Sequence, residues 1–269
     1  MANIALHLIN KVIIMSKVNW IGICIFMIAG LFTSCEEEVA APTEDWGYRY
    51  FPTAIGMEWQ YALDSIVLRP IPGGVLYDSV RLYARETLVD TIRDLEGQLW
   101  YRGERYDRRV DSTQWRFSQT FLLRSDVRRA YRQEDNLTFV KMVFPPDRLQ
   151  RWDGHVAFDA FREIEVAGQP IQIFADWDYR YTDLHQAGTI MQTSYDSLTT
   201  VQGADYENLL NRRLSLETYA PGIGLVYREL EVFETQCQLC CNGETGVCID
   251  LPWREKAEAG FIIRQWLLP

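Results

Sequence analysis

The residues best equipped for chemistry fall into three small groups. In "FADWDYRYTD", Asp176 and Asp178 stand two residues apart. In a strand they would share one face about 7 Å apart, with Trp177, Tyr179 and Tyr181 on the other. Paired carboxylates beside aromatics are the equipment of glycoside cleavage or of calcium binding. A solvated sheet face opposite a packed one explains the same alternation, and no partner acid is marked elsewhere. The second group is "CQLCCNGETGVC", with Cys237, Cys240, Cys241 and Cys248. An even set in a short segment reads as two disulfides outside the cytoplasm. Bridging the adjacent Cys240 and Cys241 would be strained. Two pairings remain: Cys237–Cys240 with Cys241–Cys248, or Cys237–Cys241 with Cys240–Cys248. A four-thiolate zinc knuckle is the other use of such spacing, but the second half lacks the C-x2-C interval. The third group is His155 and His185, the two histidines beyond the leader's His7. His155 follows a turn and alternates with apolar residues, as a satisfied structural histidine does.

No G-x-S-x-G, H-E-x-x-H, phosphate-binding glycine loop or EF-hand pattern is present. The sequence therefore leads to an expectation of no catalytic residue, no metal site, no cofactor and no enzymatic activity. The 269 residues carry 27 Lys+Arg against 37 Asp+Glu, a net charge of −10. Lys11 and Lys17 precede residue 34, where there is no acid, so the remainder is more acidic still. Such a surface repels nucleic acid and anionic lipid heads. Only Lys141 and Lys256 remain there as amines, which leaves little for Schiff-base chemistry.

Period-two segments must position these groups. From Met57, the residues Trp59, Tyr61, Leu63 and Ser65 point one way, and Glu58, Gln60, Ala62 and Asp64 the other. "VRRAYRQEDNLTFVKMVF" reads as a hairpin turning at Glu134-Asp135-Asn136. Similar alternation runs through most of residues 77–267. Segments 145–165 and 203–213 are the candidates for short helices or irregular turns. Strands at this spacing without intervening helices indicate an all-β fold, a single antiparallel barrel or sandwich-like domain. The clusters Arg105, Arg108, Arg109 and Arg128, Arg129, Arg132 read as charge ladders across strands.

Residues 18–32, "VNWIGICIFMIAGLF", form an apolar run of signal-peptide length, shorter than the roughly 20 residues of a spanning helix. Met15 followed by "SKVNW" would start a compact leader by itself. Leu31-Phe32-Thr33-Ser34-Cys35 resembles a bacterial lipobox. That resemblance implies that residues 1–34 are a signal peptide and that the Cys35 thiol carries diacylglycerol and palmitate-type acyl chains. Acyl chains at ~0.8 kcal/mol per buried methylene make a stable anchor. The acidic, proline-containing stretch 35–48 then reads as a tether to a β-rich domain over 49–269. Its three glutamates after Cys35 resemble the export tag that some Bacteroidetes use to send lipoproteins to the cell surface.

Two further motifs extend this likeness. "YFPTAIGMEWQYALDSI" and "YENLLNRRLSLETYAPGIGLVYREL" resemble the opening strand and the later turn-and-strand signature of uncharacterised Bacteroidetes outer-membrane lipoproteins. The resemblance implies location and a β-rich fold and supplies no activity. Independently, Asp-(Ser/Thr)-apolar or -Thr triplets occur five times, offering Ser65, Ser79, Thr91, Ser112 and Ser197. About one is expected from composition. They resemble the O-glycosylation sequon of Bacteroidetes exported proteins, and Asp-Ser is equally a strand-entry turn.

The resulting expectation is a membrane-anchored lipoprotein on the periplasmic or cell-surface face of the outer membrane, with a β-domain that is structural or binds a protein or glycan and has no nucleic-acid partner. Two alternatives stand beside it: a carbohydrate-active hydrolase built on Asp176 and Asp178, and a lipid-binding half-barrel.

Overall fold

The computed structural model describes residues 46–269. Alternation becomes fourteen strands, twelve of them in one antiparallel sheet. β1 (Glu58–Ile71), β2 (Gly74–Arg93), β3 (Leu99–Arg109), β4 (Arg116–Ser125), β5 (Arg129–Glu134) and β6 (Leu137–Val143) form a meander leading to one sheet edge. The chain then crosses through β7 (Arg151–Trp152) and the separate hairpin β8 (Ile164–Val166) and β9 (Gln169–Ile171). It meanders back through β10 (Tyr179–Ile190), β11 (Thr193–Glu207), β12 (Asn211–Ala220), β13 (Gly224–Glu234) and β14 (Ala259–Leu267). β14 pairs with β1, so the first and last of the described strands meet in the middle of the sheet.

The fold is all-β, and the sheet curls into a nearly closed barrel. Its two edges are joined by single bonds instead of a ladder. The Val140 N–H donates to the Gly154 carbonyl at 2.9 Å, and Trp152 Nε1–H to the Val140 carbonyl at 2.9 Å. Tyr181 Oη accepts from the Val143 N–H at 3.0 Å and donates to its carbonyl at 2.6 Å. One phenol thus satisfies both backbone groups that an absent strand would have paired.

Alternation fills the interior in layers. Tyr50, Phe51, Trp59, Tyr61, Phe121 and Tyr219 belong to an apolar cluster toward one end. Phe139, Phe174, Leu230, Val232 and Phe261 belong to a second cluster toward the other, partly supplied by the crossing segment. The inward positions of β1 are the expected ones, with Trp59, Tyr61 and Leu63 buried. The expected hairpin turn is present, with Asp135 and Asn136 at φ 52° and 60°.

Residues 203–213 differ from expectation. They lie in β11 and β12 joined by a tight turn, not in a helix. Val201, Gln202, Gly203 and Ala204 are all buried and a bulge falls at Gln202/Ala204, so period two is erased there. A Cβ on Gly203 would sit 2.8 Å from the Trp177 ring. Segment 145–165 is mostly irregular turns, as one of its two readings had it. Short helices follow β13: α1 (Gln238–Cys241), α2 (Thr245–Cys248) and α3 (Trp253–Lys256).

Candidate functional site in the barrel interior

Between the two apolar clusters the inward positions turn ionic. On β6 the in-phase series Leu137, Phe139, Lys141, Val143 carries one lysine among apolar residues. On β12 the buried in-phase series Arg213, Ser215, Glu217, Tyr219 is largely polar and carries two charges. Glu86 of β2, Lys141 and Glu217 are 2%, 5% and 6% exposed, a burial that charged groups tolerate only when paired.

They are paired in a chain of alternating sign. Arg105 Nη1 lies 3.6 Å from Glu86, and Arg132 grips Glu86 with both Nη atoms at 2.9 and 2.8 Å. Arg132 Nε donates to Glu134 at 2.8 Å. Arg228 stands 3.7 Å from Glu134 and 3.6 Å from Glu217. Glu217 accepts from Lys141 Nζ at 2.7 Å and from Tyr219 Oη at 2.7 Å. Burial alone would raise both glutamates, but Arg132 and Arg228 hold the Glu134 carboxyl well below its usual range. For Glu217, Lys141 and Arg228 likewise outweigh burial and keep it ionised. Burial lowers the Lys141 amine, offset in part by Glu217.

Above this chain lies a small recess. Phe51, Pro52, Trp59 and Leu225 form its apolar walls, and Arg228, Glu217, Lys141 and Gln265 its polar floor. The cavity measures about 40 Å³. Its mouth is held by the 3-10 turn Tyr48–Tyr50, whose Arg49 carbonyl accepts from Gly222 N–H at 2.7 Å. Trp59 Nε1–H donates to Ile223 at 2.6 Å, and Gly224 takes φ 97° at the turn's exit, a conformation glycine adopts freely.

The residues singled out from sequence are placed elsewhere. Asp176 and Asp178 precede β10 and do not share a strand face; Asp176 sits at φ 62° in the turn. Asp178 is ion-paired with Arg151, with Arg180 3.8 Å away. That correction removes the geometry on which a paired-carboxylate site depended. Among the ladder arginines, Arg105 and Arg132 do form a cross-strand charge ladder, through Glu86, and it faces the interior. Arg108 stacks on Tyr83 and Trp115 at 4.6 and 5.2 Å. Arg109 pairs with exposed Asp111. His155 is boxed by Phe139, Phe158, Phe174, Trp177 and Tyr179, with Nε2 3.2 Å from Tyr179 Oη. Burial, reinforced by Lys141, lowers its imidazole to about 4. His185 Nδ1 is 2.8 Å from Tyr50 Oη, which is 2.6 Å from Ser197 Oγ.

The cysteines are joined otherwise than expected. Cys237 bonds Cys248, which matches neither expected pairing, and Cys240 and Cys241 are free. Cys240 Sγ lies 3.0 Å from Cys241 and 3.5 Å from Cys248. α1 and α2 bring the outermost pair together, a closure that spacing alone does not encode. Desolvation, then the Cys241 thiol, pushes the Cys240 thiol up to about 11. Among the sequon hydroxyls, Ser79 and Thr91 are exposed. Ser65 is inward-facing and half-buried, Ser112 half-buried, and Ser197 bonded to Tyr50. Cys35 and its glutamates lie outside the described residues.

No family model and no curated protein matches the chain. Among solved structures, one described as a "putative exported protein with YmcC-like fold" from Bacteroides fragilis aligns with 81% of this chain and 96% of its own. The identity is 9% and the TM-score 0.30, so the likeness transfers no ligand, partner or location.

Proposed function

We propose that the chain is an exported, lipid-anchored lipoprotein of the outer membrane whose barrel is a structural or binding domain without catalysis. The observation that carries the domain's role is its interior, where two aromatic-rich clusters and a paired charge chain leave a recess of about 40 Å³ beside Trp59. A lipid-sized ligand needs several hundred Å³ at least, so a lipid-shuttling half-barrel is not favoured. The bond between Cys237 and Cys248 supports an oxidising compartment. Exposed Ser79 and Thr91 are the sequon positions open to glycan attachment on the folded domain.

The test is metabolic labelling of the full chain with palmitate in a Bacteroidetes host. Membrane-fraction label that disappears in Cys35→Ala is expected. An unlabelled wild-type chain, or an equally labelled Cys35→Ala chain, overturns the anchor.

A further inference from the structure

Two polar side chains in the recess have no adequate partner. Gln265 of β14 is 3% exposed, and among the described residues its side-chain amide makes no hydrogen bond. Arg228 of β13 stands directly across from it in the strand register. The Arg228 guanidinium has carboxylates only at 3.6 and 3.7 Å, beyond good hydrogen-bond length. Both donors line the recess and stay accessible from it, so a small molecule entering can accept from them.

Charge balance decides what that molecule is. Arg105, Arg132, Arg228 and Lys141 face Glu86, Glu134, Glu217 and, at Arg105's other side, Asp107 at 2.9 Å. Arg228 already faces both Glu134 and Glu217, so a bound anion would add a third negative charge beside one guanidinium. An uncharged oxygen would accept the same donors without that cost. The cavity, about three water-sized spheres, admits a group of a few heavy atoms, with Phe51, Trp59 and Leu225 covering its carbon.

We propose that this recess binds the uncharged carbonyl or hydroxyl end of a small molecule, its oxygen accepting from Arg228 and Gln265 and its short apolar stub lying against Phe51 and Trp59. The remainder of a longer ligand leaves through the mouth beside Pro52. This names a site and ligand class for the binding domain and does not depend on the anchor. A palmitate-labelled protein that ignores the probe retains the anchor and loses this inference.

The folded protein is titrated with acetamide and, at matched ionic strength, with sodium acetate, while the Trp59 indole N–H is followed by NMR. Acetamide is expected to shift that resonance saturably, with acetate at least tenfold weaker. Gln265→Leu is expected to weaken acetamide about tenfold at an unchanged urea midpoint. Should that variant not fold, the acetamide–acetate contrast in the wild type decides. Acetate binding as well as acetamide overturns the proposal, as does a soaked crystal showing ordered water alone in the recess.

Discussion

Guanidinium–carboxylate pairs occur both inside the barrel and on its outer face, and they differ in surroundings more than in geometry. Arg132 holds Glu86 by two bonds of 2.9 and 2.8 Å; Arg81 holds Asp64 by two of 2.5 and 2.6 Å. Glu86 is 2% exposed, whereas the Arg81 side chain is 57% exposed. Water screens the outer pair and would solvate either partner if the other were lost. Inside, Glu86 and Glu217 have given up nearly all of their water, and neighbouring cations, with the Tyr219 hydroxyl on Glu217, take its place. The contrast teaches that in this sheet the cost of breaking a pair follows its face, not its bond lengths.

The sharpest way to break that contrast is Glu86→Gln. It leaves Arg132 and Arg105 short of a buried counter-charge and should cost about 3–5 kcal/mol by urea unfolding. A loss below about 1 kcal/mol would mean that water reaches the chain and that inner and outer pairs are equivalent.

Acid comes next. The His155 imidazole is held near pH 4 in the fold, against about 6.5 when unfolded. Above about 6.5 the ring is neutral in both states and its burial carries no protonation penalty. As pH falls toward 4 the unfolded chain takes up a proton that the fold refuses, so stability declines by about 3 kcal/mol across that window. Below it, protonation of Glu134 and Glu217, both held ionised in the fold, removes more. Urea midpoints between pH 7 and 4.5 should fall steeply for the wild type and less for His155→Gln. Equal slopes would show that the aromatic box is open to solvent.

The smallest effect belongs outside. Arg81→Ala should leave the urea midpoint within experimental scatter at ordinary salt. A clear loss there would erase the difference between the two faces.

These faces also explain what was legible in the sequence. Alternation from Trp59 to Ser65 and the turn at Asp135-Asn136 were readable because apolar and turn residues carry their own instructions. Residues 201–204 were not, because burial on both faces with a bulge removes the period. Lys141 had a signal, a charged residue in phase with apolar neighbours, that reading charge as solvent-facing suppresses; Glu217, in phase with Arg213 and Ser215, had none. Asp176 and Asp178 failed for another reason: β10 begins at Tyr179, and strand boundaries are where pattern reading is weakest. The bond between Cys237 and Cys248 depends on how two single-turn helices fold back, which the spacing does not encode.

The pairing of β1 with β14 has a consequence in time. Tyr61 aligns with Leu267, and Leu68 with Gly260, so the sheet's central seam joins strands that lie about 200 residues apart along the chain. Neither half-meander can close a barrel until its counterpart has been made. Long-range pairings of this kind form late, after the loop-closure entropy of nearly the whole domain has been met. If the chain is exported as proposed above, it must stay unfolded while it crosses the membrane. A fold whose closing step waits for its final strand resists premature compaction by topology alone, whatever escorts accompany it.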